Sequence, residues 1–223
     1  MSSNETKQNL IEIISKSVLE SFSDSSNLHK VVVTSKNPCP VQSHLGMKLV
    51  RQDLDTTYDE ADYIIPQQVQ AAISEGREAI SVISADTDVF VLLCDNYLSQ
   101  QWSAKVYMRN FSEEANAICI QSTVKKHEAI VPSLLAAHAL SGCDTVPRMV
   151  GIGKSKAITA LKKMPLTYIG RKEASEDDYM LEGKRFVALC YGISNDSSSS
   201  NNFKLIYSLI DMNWPLPLPC VFL

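Results

Sequence analysis

Five acidic side chains in this chain have the types and spacing of a divalent-metal site. They form two close pairs and one residue after a glycine: Glu60 and Asp62, Asp86 and Asp88, and Asp144. Clustered carboxylates repel one another unless a cation lies among them. Mg²⁺ takes oxygen ligands of this kind, and in phosphodiester hydrolysis one or two such ions activate water and stabilise the leaving oxygen. The pattern therefore predicts that these five residues are metal ligands and form the catalytic group of a phosphodiesterase.

The Asp86 and Asp88 pair follows an apolar segment, 79–84, that reads as a buried strand. Asp86 and Asp88 are two residues apart, so on an extended strand end their side chains lie on the same face. The carboxyl ends of strands in an open α/β sheet are where ligands bind. The alternative interpretation is a strand-to-helix turn in which Asp88 caps the following helix.

The other acidic residues also have structural interpretations. Glu60 completes a capping box with Thr57, and Asp62 favours the positive end of the helix dipole. Asp144 follows Gly142, in the position of a helix cap and turn. His138 lies in an apolar helical stretch, which predicts a core histidine with a hydrogen-bond partner.

A glycine turn opens the most basic part of the chain. Gly151 and Gly153 would let backbone N–H groups approach an anion at a helix N-terminus, beside Lys154 and Lys156. Seven basic residues and no acidic ones lie between positions 148 and 172, in a chain of net charge -4. The sequence predicts that the turn binds a nucleic-acid backbone without reading sequence, and a solvated basic helix face is the alternative.

Apolar periodicity predicts the elements that position these residues. Strands are expected at 30–34, 47–51, 79–84, 103–109 and 117–121, and helices at 7–22, 57–75, 132–140, 155–163, 178–191 and 203–212. Pro66 predicts a kink or a restart in the second helix. Strands that alternate with helices indicate an α/β fold with a mainly parallel sheet. The predicted organisation is an N-terminal helix and linker (1–27), one domain (28–193), a Ser/Asn-rich linker (194–202), and a helix with a Pro-rich tail (203–223).

Composition favours an intracellular protein of the nucleus or cytoplasm. Six cysteines show no CxxC spacing and are expected to be reduced thiols. The first residues have no apolar signal-peptide core, and no apolar run reaches the roughly 18 residues of a membrane helix. No membrane partner is therefore expected, and protein partners are not indicated.

Taken in order, these motifs resemble the flap-endonuclease/XPG-type 5′-nuclease family of the PIN-like superfamily. They look closest to a group of transposon-associated animal proteins with the patterns EEAD, DTDVLVLL and HALTGCDT…GIGK. The counterparts in this chain are DEAD (59–62), DTDVFVLL (86–93), HALSGCDT (138–145) and GIGK (151–154). The resemblance covers about half of the chain. It implies a PIN-like three-layer fold, Mg²⁺ or Mn²⁺, a DNA substrate, and a helix–turn–helix at about 142–163.

The chain departs from the family at its beginning. The family carries an Asp on its first strand, and the segment 30–34 has none; Asp53 and Asp55 do not fit the pattern. Three functions therefore stay open. The first is a metal-dependent DNA nuclease domain, truncated or degenerate at this end. The second is a catalytically inactive PIN-like module that binds nucleic acid, and the third is a protein-interaction scaffold.

Overall fold

The computed structural model describes residues 3–24, 26, 28–34, 40–56, 61–111, 116–143 and 149–193. The chain divides into two compact units between Gly76 and Arg77. This boundary falls inside the range 28–193 that the sequence predicts to be one domain. The predicted helix at 203–212, both flanking segments, and the capping box at Thr57 and Glu60 lie outside the described residues.

The amino-terminal unit begins with helix α1 (Ser3–Ser21) and contains an antiparallel sheet. Its strands are β1 (Val31–Val33), β2 (Val41–His44) and β3 (Met47–Val50), in the order β1-β2-β3. The β2–β3 hairpin turns at Leu45 and Gly46, both with positive φ (49° and 76°), which suits the right-handed twist of the two strands. Strand β2 is not predicted from the sequence, because its polar residues hide the apolar alternation.

Helix α2 (Ala61–Ser74) follows a short 3-10 helix (Gln52–Leu54). It runs without a break through Pro66, which is buried. The alternative prediction of a restart at Pro66 is therefore wrong. The proline ring removes one backbone hydrogen bond of the helix, and burial of the ring offsets part of the free-energy cost of that loss.

Buried Arg51 ties the sheet of this unit to the end of α2. Its guanidinium donates to both carboxylate oxygens of Asp53 (2.8 and 2.7 Å) and to the side chain of Gln42 (2.8 Å). It also forms an ion pair with Glu75 at 2.9 Å, and Lys30 donates to the same carboxylate. Because the guanidinium group is planar and binds several acceptors at once, it fixes the relative positions of these partners.

The carboxy-terminal unit contains the second sheet, β4-β5-β6. Strand β4 (Ala79–Ile83) pairs in parallel with β5 (Lys105–Arg109), and β5 pairs antiparallel with β6 (Ile118–Cys119). Helix α3 (Thr87–Ser99) connects the two parallel strands. The α/β class predicted from the sequence is confirmed. The strand predicted at 117–121 is shorter than expected, because the chain becomes helical at Ile120.

Four more helices complete the described part of this unit. They are α4 (Ile120–Lys126), α5 (Leu134–Leu140), α6 (Lys154–Lys163) and α7 (Glu176–Cys190), with a 3-10 helix (Val131–Ser133) before α5. Helices α5, α6 and α7 enclose one apolar core that includes Leu161 and Phe186. Helix α3 buries Leu93 and Cys94 completely. No helix among the described residues is long and apolar enough to cross a membrane.

Candidate functional site

The turn between β4 and α3 fixes the position of Asp86 and Asp88. Asp86 is the N-cap residue of α3 (φ -80°, ψ 130°), and its Oδ1 accepts a hydrogen bond of 2.8 Å from the backbone N–H of Asp88. Ser84 supports the turn, because its hydroxyl oxygen accepts from the N–H of Asp86 at 3.1 Å. The capping residue is thus Asp86, whereas the structural alternative above assigned the cap to Asp88.

Asp88 has a hydrogen-bond partner on α5, far away in the sequence. Its Oδ1 lies 2.7 Å from Nε2 of His138 on α5, 50 residues further along the chain. His138 is buried, with 7% of its surface exposed. The sequence correctly predicts a buried histidine with a partner, but nothing in its spacing identifies Asp88 as that partner.

Each of the two aspartates keeps one carboxylate oxygen available. Within the described residues, the Asp86 side chain accepts only the N–H of Asp88, and the Asp88 side chain contacts only His138. Asp86 is exposed and Asp88 is half-buried. Oδ2 of both residues can therefore bind a cation, and a protein-held carboxylate oxygen is a suitable ligand for Mg²⁺ or Mn²⁺.

The other three predicted ligands lie in other parts of the chain. Glu60 and Asp144 lie outside the described residues, and Asp62 lies in the first turn of α2, in the amino-terminal unit. No group of three or more possible ligands is found among the described residues. Asp86 and Asp88 are thus the predicted ligands that the described part of the carboxy-terminal unit contains.

Lys154, at the start of α6, binds the end of α5. Its Nζ donates to the carbonyl oxygen of His138 at 3.1 Å, to Oγ of Ser141 at 3.2 Å, and to the carbonyl oxygen of Gly142. These are acceptors at a helix C-terminus, where a cation is favoured. Lys154 therefore fixes α6 relative to the helix that carries His138. Its predicted contact with nucleic acid stays a prediction.

The glycine turn has the conformation that its sequence requires at one position. Gly151 has φ +73°, which a residue with a side chain rarely adopts. Gly153 is the N-cap residue of α6, and no described side chain caps this helix end. A Cβ atom at either glycine would meet no atom of the described residues within 4 Å. Within the described part of the chain, the N-terminus of α6 is therefore uncovered.

The basic run forms an exposed surface around α6. Five of its residues are exposed and form no hydrogen bond or ion pair through their side chains within the described part of the chain: Lys156, Lys162, Lys163, Arg171 and Lys172. Three of these cations lie on α6 and two in the loop that follows it, and solvated cations of this kind suit a polyanion such as a nucleic-acid backbone. Arg148 lies outside the described residues.

Sequence reasoning missed one buried acid in this unit. Glu182, on α7, accepts hydrogen bonds from the backbone N–H groups of Thr167, Tyr168 and Ile169 at 2.6, 2.8 and 2.8 Å, and from the Thr167 hydroxyl at 3.0 Å. These donors satisfy the hydrogen-bonding capacity of a carboxylate that is shielded from water. An acidic residue on the apolar face of a predicted helix is the signal that would have found it.

The chain was also compared with known proteins. No protein-family model matches it, and no match was found among curated proteins or solved structures.

Proposed function

We propose that the chain contains a PIN-like, 5′-nuclease-type domain that hydrolyses phosphodiester bonds in DNA with Mg²⁺ or Mn²⁺. The observation that carries this proposal is the position of Asp86 and Asp88. Both follow β4 at its carboxyl end, beside a parallel strand, and each keeps a carboxylate oxygen available. Ligands of open α/β sheets bind at this end of the strands.

Asp86 and Asp88 would hold the ion through their Oδ2 atoms. His138 contacts the other oxygen of Asp88 and thereby fixes the orientation of the carboxylate, as outer partners of metal ligands commonly do. A bound divalent ion supplies Lewis-acid charge to the phosphate. Glu60, Asp62 and Asp144 stay predicted ligands, and the three-layer fold with a mainly parallel sheet stays a prediction.

The DNA contact would lie at the predicted helix–turn–helix at about 142–163, whose last helix is α6. Backbone phosphates would be held by three features: the N-terminus of α6 at Gly153, which no described side chain caps, the turn at Gly151, and the side chain of Lys156. Lys154 would position this element through its three contacts with the end of α5. Contacts with phosphates position a protein without reading sequence.

The second candidate function is DNA binding without catalysis. One observation favours it: strand β1 carries no aspartate. The basic surface of α6 supports this function as well as the first. The two functions differ in whether bound DNA is cut.

Cleavage of labelled single-stranded, duplex and 5′-flap DNA in Mn²⁺ tests the proposal. The variant is Asp86→Asn with Asp88→Asn, because asparagine at position 86 can still cap α3. The matched control is Asp177→Asn, which changes an exposed acid in the first turn of α7. Cleavage by the wild type and the control, but not by the double variant, is the expected result.

The other outcomes are equally specific. Cleavage that the double variant retains indicates a contaminating nuclease and rejects the site. Salt-dependent DNA binding by folded protein without cleavage selects the second function. Folded protein that neither cuts nor binds DNA rejects both and leaves the scaffold interpretation.

A further inference from the structure

A cavity of about 380 Å³ lies in the carboxy-terminal unit, and neither Asp86 nor Asp88 lines it. One wall is a face of α3 with Asp95, Leu98 and Ser99, which the helical repeat places side by side. The 3-10 helix and α5 form a second wall, and residues 169–171 form the third. The volume lies within the range of small-molecule sites, roughly 300–1,000 Å³.

The third wall is held in place before any ligand arrives. Buried Glu182 binds the backbone N–H groups of residues 167–169, and Gly170 then turns the chain with φ +83°. A carboxylate that satisfies three successive N–H groups keeps a loop in one conformation. The cavity is therefore preorganised, which lowers the entropic cost of binding.

Two opposite charges line the cavity without neutralising each other. Within the described residues, neither Asp95 nor Arg171 forms a hydrogen bond or an ion pair through its side chain. Asp95 is half-buried, and burial raises the pKa of its carboxyl group. A partly desolvated carboxylate without a partner is costly, and a cation beside it would remove that cost.

We propose that this cavity binds a small zwitterion with an apolar body, such as an apolar α-amino acid. The ammonium group would contact Asp95, and the carboxylate would contact Arg171. The apolar body would pack on Leu98, Leu135 and Ile169, which line the same space. A ligand with only one charge would leave one of the two protein charges unmatched. The site uses none of the proposed metal ligands, although Arg171 also belongs to the basic surface described above.

Three probes with the same phenyl group separate these contributions: L-phenylalanine, phenethylamine and 3-phenylpropionate. Each is titrated into the full chain, and binding is followed through the backbone amide NMR signals of residues 95–99 and 169–171. Phenylalanine is expected to cause saturable shifts there. The amine and the acid each lose one charge-assisted contact. Each is therefore expected to bind with an affinity at least about tenfold lower than that of phenylalanine.

Two variants assign the charges. Asp95→Asn should abolish the advantage of phenylalanine over 3-phenylpropionate, and Arg171→Gln should abolish its advantage over phenethylamine. The control, Lys172→Gln, removes a neighbouring exposed charge that does not line the cavity. The proposal is overturned if phenylalanine causes no saturable shifts up to its solubility limit. It is also overturned if it binds both variants as tightly as the wild type, with amide spectra verifying the fold of each protein.

Discussion

Oδ1 of Asp88 and Nε2 of His138 lie 2.7 Å apart and join the first turn of α3 to α5. Because His138 is buried and Asp88 is half-buried, water competes little for this contact. Lys154 binds the carbonyl oxygen of the same histidine. The β4–α3 turn, α5 and α6 are thus connected through one residue.

The first prediction is that His138 and Asp88 stabilise the carboxy-terminal unit together. A double-mutant cycle with His138→Ala and Asp88→Ala should give a coupling free energy of about 1–2 kcal/mol at pH 7. Urea unfolding followed by the fluorescence of buried Trp102 measures it. The control, His127→Ala, removes a histidine at the end of α4 whose side chain forms no hydrogen bond or ion pair with the described residues. A coupling near zero would contradict a structural role for the pair.

The second prediction separates two lysines of α6. Lys154→Met should lower the free energy of unfolding by about 1–2 kcal/mol, because three acceptors at the end of α5 lose their donor. Lys156→Met should change it by less than about 0.5 kcal/mol, since that side chain forms no hydrogen bond or ion pair with the described residues.

DNA binding, in contrast to stability, should depend directly on Lys156. Lys156→Glu should weaken binding and lower the slope of log K against log salt by about 1, as measured by fluorescence anisotropy. An unchanged slope would reject Lys156 as a phosphate contact. Equal losses of stability in the two methionine variants would reject the role assigned to Lys154.

The third prediction concerns Glu182. Glu182→Gln replaces one acceptor oxygen with an NH₂ group that faces backbone N–H donors, so a loss of about 2–3 kcal/mol in unfolding free energy is expected. Glu173→Gln, an exposed change in the preceding loop, is the control. Amide hydrogen exchange at residues 167–169 should accelerate in the first variant alone. Unchanged exchange there would show that the loop does not depend on this carboxylate.

The fourth prediction ranks three cysteines by reactivity. The hydroxyl of Ser122 donates to Sγ of Cys119 (3.3 Å) and lowers the pKa of that thiol. Burial raises the pKa of Cys94 to about 12 and that of Cys190 to about 11. Because the thiolate is the reactive form, iodoacetamide at pH 8 should modify Cys119 at least about 100-fold faster than the other two.

Peptide mass spectrometry measures each rate. Ser122→Ala should slow the modification of Cys119 and leave Cys94 and Cys190 unchanged. If Cys94 reacts as fast as Cys119 in folded protein, the packing described for α3 is wrong.

The fifth prediction is a loss of stability of the amino-terminal unit in acid. Hydrogen bonding from Lys30 and, more weakly, interaction with Arg51 lower the pKa of Glu75 below its ordinary value of 4.5. A carboxyl group with a lowered folded-state pKa stabilises the fold above its unfolded pKa, and this contribution is lost as the pH falls through the folded-state value. Solvent screening limits the effect to about 1 kcal/mol or less.

Urea unfolding followed through the amide signals of β2 and β3, from pH 7 to pH 3, measures this effect. Glu75→Gln should be less stable than the wild type at pH 7 and equal to it at low pH. Glu12→Gln, an exposed change on α1, should match the wild type throughout. A difference for Glu75→Gln that persists at pH 3 would contradict an electrostatic origin.

Much of the local structure follows from the sequence, because helix and strand periodicity and helix caps depend on residues that are only a few positions apart. The apolar run after Asp88 predicts a buried segment, and α3 buries it. The basic stretch after Gly153 predicts a helix, and α6 begins one residue earlier than expected. The strand β2 and the helical start at Ile120 are missed, since their local patterns do not distinguish strand from helix or loop.

Some features of the candidate site likewise follow from the sequence, and others depend on the tertiary structure. The sequence by itself determined the α/β class, the place of Asp86 and Asp88 after a strand, the open glycine turn and the basic surface beside it. Only the tertiary structure decided that Asp88 contacts His138, that Lys154 binds the end of α5, and that Asp95 and Arg171 line one cavity. The first set depends on residues a few positions apart, which share one helix or strand. The second depends on packing between elements, and no local pattern records which side chains that packing brings together.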